Sequence, residues 1–101
     1  MRYVIRYFNL FKRSFKKCLR RGCDEGKFRE LITILSENGN LPAKYHPHKL
    51  KGAYKGYWEC NITPDWLLVW EQNDNELLLI LMIRVAIAIY SDSLLFINAV
   101  C

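Results

Sequence analysis

Histidine, lysine and aromatic side chains crowd one short stretch of this chain. Residues 38–58 contain no acid, and Lys44, Lys49, Lys51 and Lys55 are interleaved there with Tyr45, His46, His48, Tyr54, Tyr57 and Trp58. Ammonium groups neutralise phosphates, aromatic rings stack on unpaired bases, and imidazole is the side chain that exchanges protons near neutral pH. Single-stranded RNA recognition uses this combination. A solvated basic face over core aromatics has the same composition, and composition alone weighs the two readings evenly. A second basic cluster precedes it: Arg2, Arg6, Lys12, Arg13, Lys16, Lys17, Arg20 and Arg21 lie in residues 1–22 with no acid among them, although the whole chain is only +5. Cys18, Cys23, Cys60 and Cys101 form no C-x-x-C pair and read as reduced thiols. Cys18, Cys23, His46 and His48 have spacings that match no common zinc finger, so neither metal nor cofactor is expected.

Those groups must be positioned by one small fold, because 101 residues support a single core. Tyr3, Ile5 and Tyr7 alternate with Arg2, Val4 and Arg6, the pattern of a strand. The period then changes: Phe8, Phe11, Phe15, Cys18 and Leu19 recur every three or four residues with basic residues opposite. This predicts an amphipathic helix capped by Asn9 and stopped by Gly22. A second helix is expected from Asp24, presenting Phe28, Leu31, Ile32 and Leu35 and ending at Asn38-Gly39, and so brief a link predicts a helix hairpin. After an irregular loop over residues 41–52, strands are expected at 57–62 and 66–71 around Thr63-Pro64-Asp65, and from Leu77 after Asn73-Asp74-Asn75. The order predicts an α+β fold with both helices on one face of an antiparallel-rich sheet of about four strands. The longest apolar stretch, residues 77–89, is interrupted by Arg84 and too short to span a bilayer, and no apolar h-region follows the start. A cytoplasmic protein without membrane contact is expected.

The segment L-P-A-K-Y-H-P-H-K-L-K-G-A-Y-K-G-Y-W-E-C-N-I-T-P-D-W-L-L-V-W carries a more specific signal. Its His48-Lys49-Leu50-Lys51-Gly52, Tyr54-Lys55-Gly56, Glu59-Cys60 and Pro64-Asp65-Trp66-Leu67-Leu68 runs resemble the YafQ branch of the RelE-type toxins. The resemblance covers residues 1 to about 82. It implies a RelE-like, microbial-ribonuclease-like fold and an endoribonuclease, an mRNA interferase that enters the ribosomal A site, cuts mRNA during translation and is neutralised by a cognate antitoxin.

Such chemistry needs a base to take the ribose 2′-OH proton, a clamp for charge growing on the phosphate, and an acid for the leaving 5′-oxygen. His48 is a candidate base or electrostatic partner, and Asp65 a second base or a group that orients the imidazole. Lys49, Lys51, Lys55 and Arg84 are candidate RNA contacts, and Trp66 or Tyr54 a stacking platform. Each has a plainer reading: Asp65 after Pro64 shapes a turn, Trp66 belongs to the sheet core, and His46 is structural or solvated.

Two features depart from the family pattern. Asn61 stands where such toxins usually carry a histidine; it can hydrogen-bond a phosphate or ribose but transfers no proton near neutral pH. The family's polar ending, close to D-T-G-S-H-S-D-L-F with a histidine resembling a general acid, is replaced by an apolar one after Met82. Codons for residues 82–92 exist that, read two bases later, spell that missing motif and then a stop. Residues 1–82 therefore read as the toxin domain and residues 83–101 as an out-of-frame tail. The expected acid then falls at Ile87 and the terminal Phe at Ser91, leaving Tyr90 as the nearest proton donor and catalysis impaired. Alternatively, residues 85–89 extend the last strand of a diverged toxin, as their β-branched content permits. The functional alternative is a catalytically inactive module that binds antitoxin or ribosome.

Overall fold

In the computed structural model, which describes residues 2–84, the N-terminal alternation becomes a four-residue edge strand, β1 (Val4–Tyr7). Helix α1 (Asn9–Arg20) follows with Phe11 and Cys18 buried, while Lys12, Arg13, Lys16, Lys17 and Arg20 stay exposed. Asn9 is its first residue and not its cap; Phe8 holds the cap position in extended conformation, without a side-chain cap. Gly22 ends the reversal after α1 at φ 90°. Asp24 caps α2 (Glu25–Asn38) by accepting the Gly26 N–H at 2.9 Å. Gly39 closes α2 in the left-handed region, where any Cβ would run into the Tyr3 ring. The hairpin is joined through Phe28, whose ring centroid lies 6.0 Å from Phe11 and 5.0 Å from Phe15.

The remaining strands are β2 (His48–Lys49), β3 (Trp58–Thr63), β4 (Trp66–Gln72) and β5 (Glu76–Arg84). They form one sheet with β1 in the order β1-β5-β4-β3-β2. The α+β class stands, with five strands where about four were expected: the extra one is the two-residue β2, too short for any periodicity to announce. Neighbours are antiparallel except β1 and β5, which run parallel from Val4 opposite Glu76 to Tyr7 opposite Leu79.

The near-continuous apolar runs of β4 and β5 follow from burial on both faces. One face carries Cys60, Ile62, Trp66, Leu68, Trp70, Leu77, Leu79 and Met82 against Phe11, Phe28, Leu31 and Leu35 of the helices. The other carries Leu67, Val69, Ile80, Leu81 and Ile83 against Leu50 and the half-buried Tyr54 and Tyr57. Phe11 is 2% exposed, so its removal to Ala would cost about 3–5 kcal/mol. Strand β5 passes through Ile83, a core residue, to Arg84. The expectations for residues 85–101, including Ile87, Tyr90 and Ser91, lie outside the described residues. Among the described residues, no helix is long and apolar enough to cross a membrane.

Candidate functional site

Pro42 and Pro47 have no N–H to give to a ladder, so the chain between them winds through one 3₁₀ turn, Ala43–Tyr45. His46 follows at φ 49°, a left-handed conformation that histidine tolerates better than most side chains. Only His48 and Lys49 then pair with β3, opposite Glu59 and Trp58 respectively. This register sets the first half of the site.

Residues directly opposite share a face of the sheet, so the His48 ring lies against Glu59. Its Nε2 is 3.0 Å from Glu59 Oε1, and its Nδ1 is 2.7 Å from the His46 carbonyl oxygen. Both neighbours are acceptors, so the arrangement is satisfied by two ring N–H donors, or by one together with a proton on the carboxyl group. The ring is 48% exposed while Glu59 is 2% exposed, which places a buried acid behind a solvent-facing imidazole. Lys49, Lys51 and Lys55 are exposed, but Lys49 follows His48 along β2 and so projects from the opposite face of the sheet. The Lys49 ammonium sits 5.5 Å from the centroid of the Trp58 ring. Tyr54 is half-buried, with its ring centroid 6.4 Å from that of Tyr57.

Asp65 lies elsewhere. It occupies the turn between β3 and β4, where the Thr63 hydroxyl donates to its Oδ1 at 2.8 Å and Arg84 Nε to its Oδ2 at 3.3 Å. The Thr63 hydrogen bond above all, with Arg84 adding to it, holds the Asp65 carboxyl below the usual range, so it stays ionised. Glu59 and Thr63 are four positions apart on one strand, about 13 Å at the usual rise. The carboxylate that orients the imidazole is therefore Glu59 and not Asp65, which is committed to its turn. Arg84, expected at RNA, also donates through Nη1 to the Arg21 carbonyl at 2.6 Å, tying β5 to the turn after α1. Trp66, expected as a stacking platform, is 2% exposed in the core between sheet and helices; no base reaches its face without opening that core.

Asn61 is 8% exposed, with its amide 3.4 Å from the Pro64 carbonyl oxygen. It lines a cleft of about 310 Å³ with Lys27, Glu30, Lys44, His46, Thr63 and Pro64. Strand β2 covers β3 only at Trp58 and Glu59, and this cleft opens along the rest of that edge. The H-P-H loop and the P-D-W turn thus meet across a cleft of mixed charge, but through His46 and Pro64. The sequence reads His46 as structural or solvated and assigns Glu59 no role, although an acid inside an otherwise uncharged strand implies a partner on a neighbouring element.

The family model described as bacterial toxin of type II toxin–antitoxin system, YafQ, matches residues 3–91. Over 71 residues the chain is 35% identical to the mRNA interferase toxin YafQ of Escherichia coli strain K12, covering 69% of this chain and 77% of that protein. The crystal structure of YafQ from E. coli strain BL21(DE3) aligns with a TM-score of 0.76 at 31% identity, over 81% of this chain and 92% of that one. YafQ in the E. coli DinJ-YafQ toxin-antitoxin complex aligns with a TM-score of 0.75 at 30% identity, over 83% and 93%. With a sheet, helix pair and loop motif of that kind, this chain belongs to the YafQ family of bacterial type II toxin–antitoxin toxins.

Proposed function

We propose that this chain is an mRNA interferase of reduced activity: an endoribonuclease that binds at the ribosomal A site and cleaves mRNA by attack of a ribose 2′-OH on the adjacent phosphate. The reading is carried by the His48–Glu59 pair, an imidazole on the exposed lysine-bearing segment with an acid buried in β3 behind it. The exposed lysines of this segment counter the charge that grows on the phosphate oxygens, together with a half-exposed His48 ring whose orientation the buried Glu59 fixes. The imidazole is an electrostatic group first, since both nitrogens are already engaged within the protein. Lys49, Lys51 and Lys55 hold flanking phosphates, and Tyr54 edges the same loop. The cleft at Asn61 takes a neighbouring nucleotide, with the Asn61 amide near its phosphate or ribose.

Reduced activity follows from proton transfer. Asn61 carries none, Asp65 is ionised and held by Thr63 and Arg84, and the histidine-bearing ending that the resemblance implies is absent from the sequence. Residues 83–101 are then an out-of-frame tail on a toxin domain of residues 1–82. A cognate antitoxin is the natural partner, as DinJ is for the related YafQ, and the acid-free exposed face of α1 suits an acidic segment of it. The commitment of Asp65 to its turn favours one second reading, a module that binds antitoxin or ribosome without cutting.

In vitro translation with primer extension on the message separates the readings. Weak in-frame cuts that strengthen when residues 83–101 are replaced by the D-T-G-S-H-S-D-L-F ending support the interferase. Ribosome binding without cuts from either form supports the module. Resequencing the gene tests the tail directly.

A further inference from the structure

The turn between the two helices carries chemistry that RNA cleavage does not use. After α1, the Gly22 N–H donates to the Leu19 carbonyl at 3.0 Å and the Cys23 N–H to the Cys18 carbonyl at 3.2 Å. With Gly22 left-handed, these are the 5→2 and 6→1 bonds of a Schellman motif, which ends a helix by packing the side chains of its first and last residues together. Here that contact is made by two thiols in place of the usual apolar pair.

A backbone hydrogen bond of 3.2 Å between the two residues holds their Cα atoms within about 7 Å, by standard backbone dimensions. Beyond roughly that separation a disulfide needs backbone movement. Both cysteines are free. Burial, with the Cys23 thiol in hydrogen-bonding reach, pushes the Cys18 thiol up to about 11. Cys23 is half-buried and lines a cleft of about 270 Å³ with Lys27, Asp65 and Arg84, which gives a small reagent access to it.

We propose that Cys18 and Cys23 are a dithiol modification site, converted to an intramolecular disulfide by a low-molecular-weight disulfide. The Cys23 thiolate attacks one sulfur of the reagent, breaking its S–S bond, and the released thiolate takes up the proton that Cys23 lost. Cys18 then gives up its proton, attacks the Cys23 sulfur and expels the second half of the reagent as a thiol. Two electrons pass from protein to reagent: one protein disulfide forms and two small thiols leave. The bridge closes around the turn whose Arg21 carbonyl receives Arg84, the residue that also holds Asp65.

The test uses the full chain, reduced and then incubated folded with oxidised glutathione, alkylated and mapped by mass spectrometry without reduction. Trypsin cuts after Arg20 and Arg21, so the expected product joins the Cys18 and Cys23 peptides with the loss of two hydrogens. Cys18→Ser should retain glutathione on Cys23, and Cys23→Ser should leave Cys18 without adduct while folded. The proposal is overturned if both thiols remain alkylatable. It is equally overturned if glutathione stays on Cys23 of the unaltered chain, or if either cysteine bridges instead to Cys60 or Cys101. Because Cys23→Ser alters the less buried residue, it reports even if Cys18→Ser fails to fold.

Discussion

His48 and Glu59 face each other from adjacent strands, one half-exposed and one buried, with 3.0 Å between ring nitrogen and carboxylate oxygen. A buried acid is stable there only with a donor to face, and a ring with two acceptors beside it is held in one orientation. The pair is the local device on which the functional reading depends.

Exchanging the carboxylate for an amide tests that device. Glu59→Gln keeps the shape and removes the charge, so the cleavage rate should fall about tenfold, roughly 1.4 kcal/mol of transition-state stabilisation. Circular dichroism should stay that of the parent. Primer extension yielding equal cutting from both proteins would remove Glu59 from the mechanism.

The exposed lysines should act through charge and independently of sequence. Replacing Lys49, Lys51 and Lys55 together by Ala should weaken single-stranded RNA binding and flatten its dependence on salt. At about 0.7 per phosphate contact on single strands, the logarithmic slope should drop by about 2. An unchanged slope in fluorescence titrations across a salt series would place RNA on another surface.

Trp66 should behave as core. Trp66→Ala should lose about 3–5 kcal/mol of stability by urea denaturation, the range for deleting a large buried side chain. Trp66→Phe should fold and bind RNA within about twofold of the parent, because the ring lies beneath the sheet and not against the strand. A large affinity loss in a stable Trp66→Phe protein would restore a stacking role.

Acid should release the turn after β3. The Asp65 carboxyl is depressed in the folded chain by the Thr63 hydroxyl and then by Arg84. Its contribution to stability is therefore complete above the unfolded carboxyl value, about 3.9, and is lost as pH falls through the lower folded value. Asp65→Asn should be less stable than the parent at neutral pH, and the gap should close in strong acid. A gap independent of pH in parallel urea titrations would show that the side chain acts by shape alone.

Much of the architecture was legible because it is written in local chemistry. Gly22 and Gly39 stop the helices where only a residue without a Cβ turns left-handed comfortably, and Asp24 supplies the capping oxygen expected of it. The Thr63-Pro64-Asp65 and Asn73-Asp74-Asn75 turns fall between strands whose ends differ from expectation by about one residue. The Asn9 cap was misplaced by one position because a helix can begin without a side-chain cap when tertiary packing supports it.

Other features had no local signature. Strand β2 is two residues long and exists only because β3 offers it an edge. Glu59 acquires its partner through that register, eleven residues away in sequence. Trp66 could be platform or core until its face was fixed, since β4 is apolar on both sides and alternation cannot tell them apart.

By itself, then, the order of residues determined the helices, the turns, the basic loop and the kinship, because each depends on neighbours along the chain or on a recognisable string. Which acid stands behind His48, and that Asp65 and Arg84 secure a turn, were decided only when strands and turns came together. Those contacts arise from pairing register and burial, which are properties of the folded whole.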